Sequence, residues 1–292
     1  MRKNIKKDTL TGLRSIHPDL TGKPLPKNTR ILPNEIKPCP FCLLAENARL
    51  GLPSLSDGSV NRNLIQHNQH SFATTNRWGI FGLDSTELIV PYEHVTDLES
   101  MSKDQIISHF ELTHKRYLSR SQSERFITFA FINVGLQSGS SIPHLHTQVM
   151  NPPFSSNNPL KLAYNADLSK DIIKARKSKL LLSEEKDLIS YVAPSPMIAG
   201  EVRVISSDIN LATINLHKIL QSAAKIHTWS YNILINYSIK NPFKPDSSPA
   251  YLLHFLPRFD LGSLFQIHIS ASIQSVNETL YHKTLLDNLP ND

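Results

Sequence analysis

The sequence predicts an α+β fold in which one unit of strand, helix, strand and strand occurs twice. Short runs of β-branched and aromatic residues, such as "RFITFAFINV" at 125–134, are typical of buried strands. Segments with a helical period separate these runs, and the same order returns after residue 185 at nearly the same spacing. We therefore expect two related halves, 1–155 and 186–292, joined by a connection at 156–185.

The elements of the first half follow from local patterns. Residues 1 to about 38, rich in Pro, Lys, Asn and Thr, predict an extended, loop-rich arm. "TELIVPYEH" at 86–94 predicts a strand that ends in a loop, and residues 100–120 predict a helix capped by Ser102. The residues expected on one face of that helix are Ile106, Phe110, Thr113 and Tyr117. A buried strand, a Gly/Ser loop and "HLHTQVM" come next.

The second half repeats this order. "GEVRVISSDINL" resembles the first strand, and "NLHKILQSAAKIHTWSY" at 215–231 predicts the helix. "YNILINYS" predicts the next strand, and "PAYLLHFLPRF" stands where the histidine segment stood. The second half has no His-x-His pair, so any chemistry is expected in the first half.

Composition excludes several classes of function. The 292 residues are 40% hydrophobic and 19% charged, which is typical of a globular protein. No apolar run approaches the ~18 residues of a membrane span, and the basic start is not followed by the apolar region of a secretory signal. The net charge of +6 suits an anionic ligand, but no basic cluster interleaved with aromatics indicates nucleic acid. We expect a cytoplasmic protein without a membrane or nucleic-acid partner.

Both cysteines lie in "KPCPFCLL", at Cys39 and Cys42. They close too short a loop to stabilise a protein of this size, and without a secretory signal a structural disulfide is not expected. Their spacing leaves a redox pair or half of a metal site. A thioredoxin-type pair would open a helix after a strand, whereas Pro38 and Pro40 around the first cysteine favour a metal-binding knuckle.

The segment "NVGLQSGSSIPHLHTQVM" combines a Gly/Ser loop with two histidines and a glutamine. On a strand, alternation would place His144, His146 and Gln148 on one face, which core packing explains poorly. Gly135 and Gly139 would let backbone N–H groups approach a phosphate, and the serine hydroxyls add donors. The alternative is a polar hairpin with solvated histidines, but loop and strand together favour a functional site.

At these residues the sequence resembles a known family. "GLQSGSSIPHLHTQ" resembles the signature of the histidine-triad superfamily in its transferase branch, which includes galactose-1-phosphate uridylyltransferase, ADP-glucose phosphorylase and the diadenosine tetraphosphate phosphorylases. "KDTLTG", "CPFC", "TTNRWGIFG" and "ELIVPYEHVTDLESMS" resemble further family segments in the same order. The resemblance extends from residue 8 to about 153. It implies a duplicated histidine-triad-like fold, with helices packed on one face of an antiparallel sheet and a degenerate second half.

The resemblance also implies a zinc ion. The residues that match its ligand positions are Cys39, Cys42, His94 and His144. Two thiolates and two imidazoles form the closed tetrahedral set of a structural zinc. His94 could instead be a solvated loop histidine, in which case His109 or His114 on the predicted helix would be the substitute.

The same resemblance makes His146 the nucleophile. Its imidazole would attack the α-phosphorus of a nucleotide, and a phosphate acceptor would then take the nucleotide in a ping-pong cycle. Gln148 would donate its amide hydrogen to the phosphoryl group, although an amide does not titrate near neutrality.

The remaining positions implied by the resemblance contact the nucleotide. Backbone N–H groups of Gly139, Ser140 and Ser141 would hold the non-bridging oxygens. Asn133 matches a phosphate-contacting asparagine and Asn76 a nucleotide-contacting one, and Trp78 is either a packing surface for the base or ordinary core.

The expected activity is that of a nucleotidyltransferase or phosphorylase in carbohydrate metabolism, acting on a UDP- or ADP-hexose or a dinucleotide, in a possible homodimer. The alternatives are a nucleotide hydrolase, against which Gln148 argues, and a non-catalytic, zinc-stabilised nucleotide-binding protein. The sequence also departs from the family. Arg14 and Lys23 stand where it has paired arginines, only His254 matches its second metal site, and its sugar-contacting stretch is absent. Galactose as the sugar therefore does not follow.

Overall fold

The computed structural model describes residues 4–7, 14–17, 38–56, 61–76, 86–121, 128–151, 168–226, 228–239, 241–243, 249–259, 271–273 and 277–290. The strands there are β1 (Asn4–Lys7), β2 (Arg14–His17), β3 (Ser54–Ser56), β4 (Asn61–His67), β5 (Ser71–Thr75), β6 (Thr86–Pro91), β7 (Phe129–Val134), β8 (Thr147–Met150), β9 (Leu181–Glu185), β10 (Leu188–Val192), β11 (Val202–Ser206), β12 (Tyr231–Ile239), β13 (Ala250–Pro257) and β14 (Ala271–Ile273). The helices are α1 (Pro40–Arg49), α2 (Lys103–Ser121), α3 (Ser169–Lys177), α4 (Ile209–Lys225) and α5 (Glu278–Leu286), and a 3-10 turn covers Leu136–Ser138. None of these helices has the length and apolar character needed to cross a bilayer.

The chain divides into two compact units. The first unit is Ile31–Ser156, and the second combines Met1–Arg30 with Asn157–Asp292. Helix α3 and strand β9 fall within the predicted connection at 156–185, which is therefore partly built of regular structure. The predicted domain limits themselves stay predictions.

Each unit contains antiparallel strands in the same order, except that the first unit has one additional strand, β3. In the first unit the order is β3-β4-β5-β6-β8-β7, and in the second it is β9-β10-β11-β13-β12. In the first unit the long helix α2 follows β6, and the last strand, β8, pairs with β6 and β7. In the second unit the long helix α4 follows β11, and the last strand of the sheet, β13, pairs with β11 and β12. This shared topology confirms the predicted α+β class and the duplicated fold.

Helices pack on the first sheet according to the alternation of β6. Glu87 points toward the long helix α2, where it accepts hydrogen bonds from Arg116. Leu88 and Val90 point the other way and pack in one core cluster with the apolar side of the short helix α1. The long helix thus covers one face, and α1 lies against part of the opposite face.

The long helices confirm part of the prediction and correct part of it. Ser102 caps α2 as predicted, because its Oγ accepts from the Gln105 N–H while Gln105 Oε1 accepts from the Ser102 N–H. The four residues predicted on one face of α2 are all buried. Helix α4 begins at Ile209 rather than near residue 215, because the Asp208 carboxylate accepts two N–H groups of the first turn, and it ends at Lys225.

The N-terminal arm was predicted to be loop-rich, but it contains two strands. β1 pairs antiparallel with β2, and β2 pairs with β14 from the other end of the chain. A hydrogen-bonded partner more than 250 residues away leaves no local signal in the sequence.

Candidate active site and metal centre

Four potential metal ligands meet in the first unit: Cys39, Cys42, His94 and His144. Their ligand atoms all lie within 4.8 Å of one another. Cys42 Sγ is 3.2 Å from His94 Nδ1, and Cys39 Sγ is 3.5 Å from His144 Nδ1. Zinc–sulfur bonds of about 2.3 Å and zinc–nitrogen bonds of about 2.0 Å put sulfur and nitrogen about 3.5 Å apart in a tetrahedral site. The donor set therefore fits a tetrahedral zinc ion.

The two cysteines are presented by the start of a helix. Cys39 is the N-cap of α1, and Pro40 occupies the first helical position, where its missing N–H is not needed. A helix that opens at Cys-x-x-Cys was expected for a redox pair. Here both thiols are free and face two histidines, which is the arrangement of a metal knuckle.

Two hydrogen bonds bring the histidines to the knuckle. The Leu145 N–H donates to the Val95 carbonyl over 2.7 Å, which ties the His94 loop to the His144 segment. His144 Nε2 lies 3.1 Å from the Pro91 carbonyl, which can only accept, so Nε2 carries the proton. The lone pair of His144 is therefore on Nδ1, the nitrogen that faces the cysteines, as metal-ligating histidines require.

The protonation preferences of this cluster suit a cation. Burial, and to a lesser extent the neighbouring Cys39, raise the pKa of Cys42 to about 11. Burial lowers the pKa of His144 to about 4, against the opposing effect of its bond to Pro91. A neutral imidazole is the form that binds metal, and a divalent ion would reverse the resistance of the thiols to ionisation.

His146 lies next to this cluster in a defined tautomer. Its Nδ1 is 2.9 Å from the His144 carbonyl, so Nδ1 carries the proton and Nε2 carries the lone pair. Burial lowers the pKa of His146, the bond to His144 raises it, and the charge of Arg62 lowers it. Among the described residues Nε2 has no hydrogen-bond partner. The arrangement is a neutral imidazole with a nucleophilic nitrogen available.

The histidines do not lie on the strand as predicted. Strand β8 begins at Thr147, and His144 lies in a bend. The N–H of the intervening Leu145 bonds to Val95 instead of joining the ladder. The ring of Phe41 nevertheless contacts both histidine rings, with centres 5.6 Å from His144 and 5.0 Å from His146. Both rings therefore lie on the side of helix α1.

Gln148 and Asn133 share that side of the sheet. Gln148 pairs with Leu88 and with Phe131, and Leu88 packs in the α1 cluster. Asn133 is two residues after Phe131 on β7, so the two side chains lie on the same face. Because Ile132 pairs with Thr147, Asn133 lies opposite His146. Cross-strand neighbours share a face, so both amides border the region above the His146 ring.

Asn76 lies farther away. Its N–H bonds to the Thr86 carbonyl, at the end of β6 remote from the level of His146. Four residues of strand separate the two levels, which is about 13 Å. Asn76 is therefore not a direct neighbour of His146, and its contact with a nucleotide stays a prediction. Trp78 falls outside the described residues.

The Gly/Ser loop contains two glycines of positive φ, and two of the N–H groups predicted to hold phosphate donate within the loop itself. Gly135 and Gly139 both adopt positive φ, at 78° and 85°. The Gly139 N–H donates to the Leu136 carbonyl over 3.0 Å, and the Ser140 N–H lies 3.4 Å from the Gly135 carbonyl. A 3-10 turn uses its own N–H groups in this way. Phosphate binding by Gly139, Ser140 and Ser141 stays a prediction, and the first two amides would have to leave these bonds.

The two substitute ligands are not in the cluster. His109 Nε2 is 2.7 Å from Thr147 Oγ1 and its Nδ1 is 3.0 Å from Ser71 Oγ, inside the α2 side of the sheet. Burial lowers the pKa of His109 to about 3. It is held by hydroxyl groups on β5 and β8, so it stabilises the strand that follows His146. His114, half-buried farther along α2, is likewise outside the four-ligand group.

Arg62 lies near this site although no sequence pattern predicted it there. It is 5% exposed, and its Cζ lies 5.9 Å from the centre of the Phe41 ring. An arginine in a short polar strand has no distinctive spacing, so the sequence contains no signal for its burial.

The second unit also gathers buried polar groups. Arg203 donates to Glu201 and to Asp171, each over 2.7 Å, and Tyr191 donates to Asp171 over 2.8 Å. His254 Nδ1 donates to Glu201 over 2.7 Å. His254, the predicted remnant of a second metal site, is thus engaged by a carboxylate. Within the described residues, the Cys/His cluster is the one group suited to a metal ion.

Comparisons with known proteins identify the fold. No family profile matches the chain, and no curated protein matches its sequence. A GalT-like protein from Arabidopsis thaliana superposes with a TM-score of 0.70 at 17% identity, over 99% of this chain and 100% of the other. ADP-glucose phosphorylase from Arabidopsis thaliana, with bound ADP-glucose, gives 0.71 at 17%, over 97% and 98%. A uridylyltransferase mutant gives 0.63 at 14%, over 99% of each chain. The chain therefore has the same fold as these three proteins, two of which belong to the groups that the sequence resemblance named.

Proposed function

We propose that this protein transfers a nucleotide from a nucleoside diphosphate sugar or a dinucleotide to a phosphate acceptor, through a covalent nucleotidyl-histidine at His146. The observation that carries the proposal is the tautomer of His146. Its Nδ1–H is held by the His144 carbonyl, so the lone pair on Nε2 is available in a buried, neutral imidazole. The fold shared with ADP-glucose phosphorylase and uridylyltransferase supports the proposal.

The reaction would proceed in two balanced steps. Nε2 of His146 forms a bond to the α-phosphorus, and the bond from that phosphorus to the departing sugar phosphate or nucleotide breaks, with the electron pair leaving on oxygen. A phosphate oxygen of the acceptor then attacks the same phosphorus and the bond to Nε2 breaks, which restores His146. The backbone bond to Nδ1 keeps the ring oriented through both steps.

The other residues would position the reacting groups. Gln148 and Asn133 would donate amide hydrogens to the phosphoryl oxygens from the face they share. Zinc, held by Cys39, Cys42, His94 and His144, would supply a structural tie between the α1 knuckle and the histidine segment. The acceptor, the hexose and a homodimeric state stay predictions.

Mass spectrometry of the intact protein tests the proposal. The protein is incubated with UDP- and ADP-sugars and with dinucleotides, without acceptor, and weighed. We expect a mass gain of one nucleoside monophosphate that is absent in His146→Ala and retained in His67→Ala, a control at an exposed histidine on β4.

The alternatives give different outcomes. Release of nucleoside monophosphate into water at a rate independent of phosphate would indicate a hydrolase. Nucleotide binding without adduct or turnover, for every donor, would indicate a binding protein and would overturn the proposal.

A further inference from the structure

Arg62 places a permanent positive charge inside the first unit, close to the proposed nucleophile. The residue is 5% exposed, and its guanidinium carbon lies 5.9 Å from the centre of the Phe41 ring. The same ring is 5.0 Å from the ring of His146. The guanidinium and the imidazole therefore contact the same aromatic side chain.

The contact with Phe41 does not by itself use the N–H donors of the guanidinium. A cation above an aromatic ring uses the face of the guanidinium plane, whereas its N–H donors point outward along the edges of that plane. Those edges match the spacing of phosphate oxygens, to which arginine binds in a bidentate manner. Burying an arginine also costs free energy, which favours a role that needs the charge.

Nucleotidyl transfer needs such a charge at this place. The phosphoryl group is anionic, and the N–H groups of Gly139 and Ser140 are engaged within their own turn. We propose that Arg62 binds the phosphoryl oxygens of the nucleotide donor, and that Phe41 holds the guanidinium and the His146 ring at a common distance. This inference rests on the proposed function, because it takes a nucleotide phosphate as the ligand at His146.

Phe41 also explains why the knuckle would matter to binding. It lies between Cys39 and Cys42 in the first turn of α1, and it is 2% exposed. A metal ion held by these cysteines would therefore position the ring, which contacts both Arg62 and His146. Arg62 would be a substrate-binding residue, and Phe41 a positioning residue.

Calorimetric titration of the zinc-loaded protein tests the inference. UDP and ADP are the charged probes, and uridine and adenosine are the uncharged ones. Arg62→Gln should weaken binding of the nucleotides about 10- to 100-fold, the range for a lost hydrogen bond to a charged group, without weakening the nucleosides. Arg62→Lys should recover part of the loss, because it keeps the charge but not the fork.

Arg49→Gln is the matched control. The guanidinium of Arg49 also lies over an aromatic ring, 5.3 Å from the centre of Tyr92, but the residue is exposed at the end of α1. It should bind UDP and ADP as the wild type does. A specific loss in the Arg62 variants alone would then be assigned to the phosphate and not to the removal of a stacked arginine.

Folding and phosphate binding are separated by measuring Tm and zinc content for each variant. An Arg62→Gln protein that folds and binds UDP and ADP as tightly as the wild type would overturn the inference. If that variant does not fold, Arg62→Lys decides, and unchanged nucleotide affinity in it would overturn the inference equally. Wild-type protein that binds these nucleotides but forms no adduct with any donor would refute the transfer reaction alone, whereas wild type that binds none would refute both.

Discussion

The two repeats have the same strand order but use their buried polar residues in opposite ways. In the first, His146 has a lone pair available on Nε2. Four ligand atoms also converge there, and none of them belongs to a lysine or arginine. In the second, Arg203 lies between two carboxylates and donates to both, and His254 completes the bonding of Glu201. The first arrangement suits an external ion and ligand, and the second is satisfied internally.

The difference lies in how each repeat compensates buried charge. Burial alone would raise the pKa of Glu201, but Arg203 and His254 lower it to about 2. The carboxylate is therefore stable without a metal. In the first repeat burial and Cys39 raise the pKa of Cys42, which disfavours the thiolate. A bound cation would be needed to stabilise the thiolate form. The two copies of the duplicated fold thus differ in whether their buried polar groups are compensated from within the protein.

Removing a zinc ligand is expected to have the largest effect, and to affect the first unit. Cys42→Ser should reduce zinc from about one ion per chain to almost none, because the tetrahedral set then lacks a thiolate. Structural zinc sites contribute on the order of 10 kcal/mol in isolated small domains, so the first unit should lose several kcal/mol. Metal analysis and hydrogen exchange measure the two effects.

His114→Gln is the control for the metal site, since His114 is a histidine of the same unit outside the cluster. It should retain zinc. Undiminished zinc content in Cys42→Ser would contradict the proposed difference between the two repeats. A loss of hydrogen-exchange protection that is equal in β5 and β10 would contradict it as well.

Arg203→Gln should destabilise the second unit by about 3–5 kcal/mol, because it removes the cation that donates to two buried carboxylates. Asp171→Asn in the same chain should restore part of the loss by removing one of those charges. Urea denaturation measures the free energy of unfolding. Zinc content should not change, because the cluster in the second unit holds no metal ligand of the first.

Arg116→Gln is the matched change in the first unit. Arg116 also binds a strand glutamate, Glu87, but its side chain is 15% exposed and Arg120 remains as a second partner at 3.0 Å. The cost should be clearly smaller, about 1–2 kcal/mol. If Arg203→Gln and Arg116→Gln lower the free energy of unfolding by the same amount, the buried carboxylates of the second unit do not depend more strongly on their arginine than Glu87 does.

A smaller, pH-dependent effect is expected from His109. Its pKa is about 3 in the folded protein and about 6.5 when unfolded, so below pH 6.5 the unfolded chain binds the extra proton. Stability is complete above that pH and falls toward pH 3, by about 1.4 kcal/mol per pH unit from this group. Between pH 6.5 and 5, His109→Gln should flatten the profile by that slope relative to wild type. Parallel profiles would show that His109 is not held neutral.

Local patterns in the sequence predicted the regular elements well. The cap and the buried face of α2 depend on residues within a few positions of each other, so the structure has them as predicted. The start of α4 was placed too late because the capping aspartate stood outside the apolar period. The pairing of β2 with β14 was missed because both strands are short and distant in the chain.

The sequence by itself determined the class, the duplication and the residue types of the candidate site, because periodicity, turn chemistry and ligand preference are properties of neighbouring residues. Only the tertiary structure decided which nitrogen of each histidine holds a proton, since that depends on the carbonyls of Pro91 and His144. It also decided that the Gly/Ser amides bond within their own turn and that Arg62 lies beside Phe41. Such contacts join segments far apart in the chain, and their distances follow from the packing of the whole unit, for which no local pattern exists.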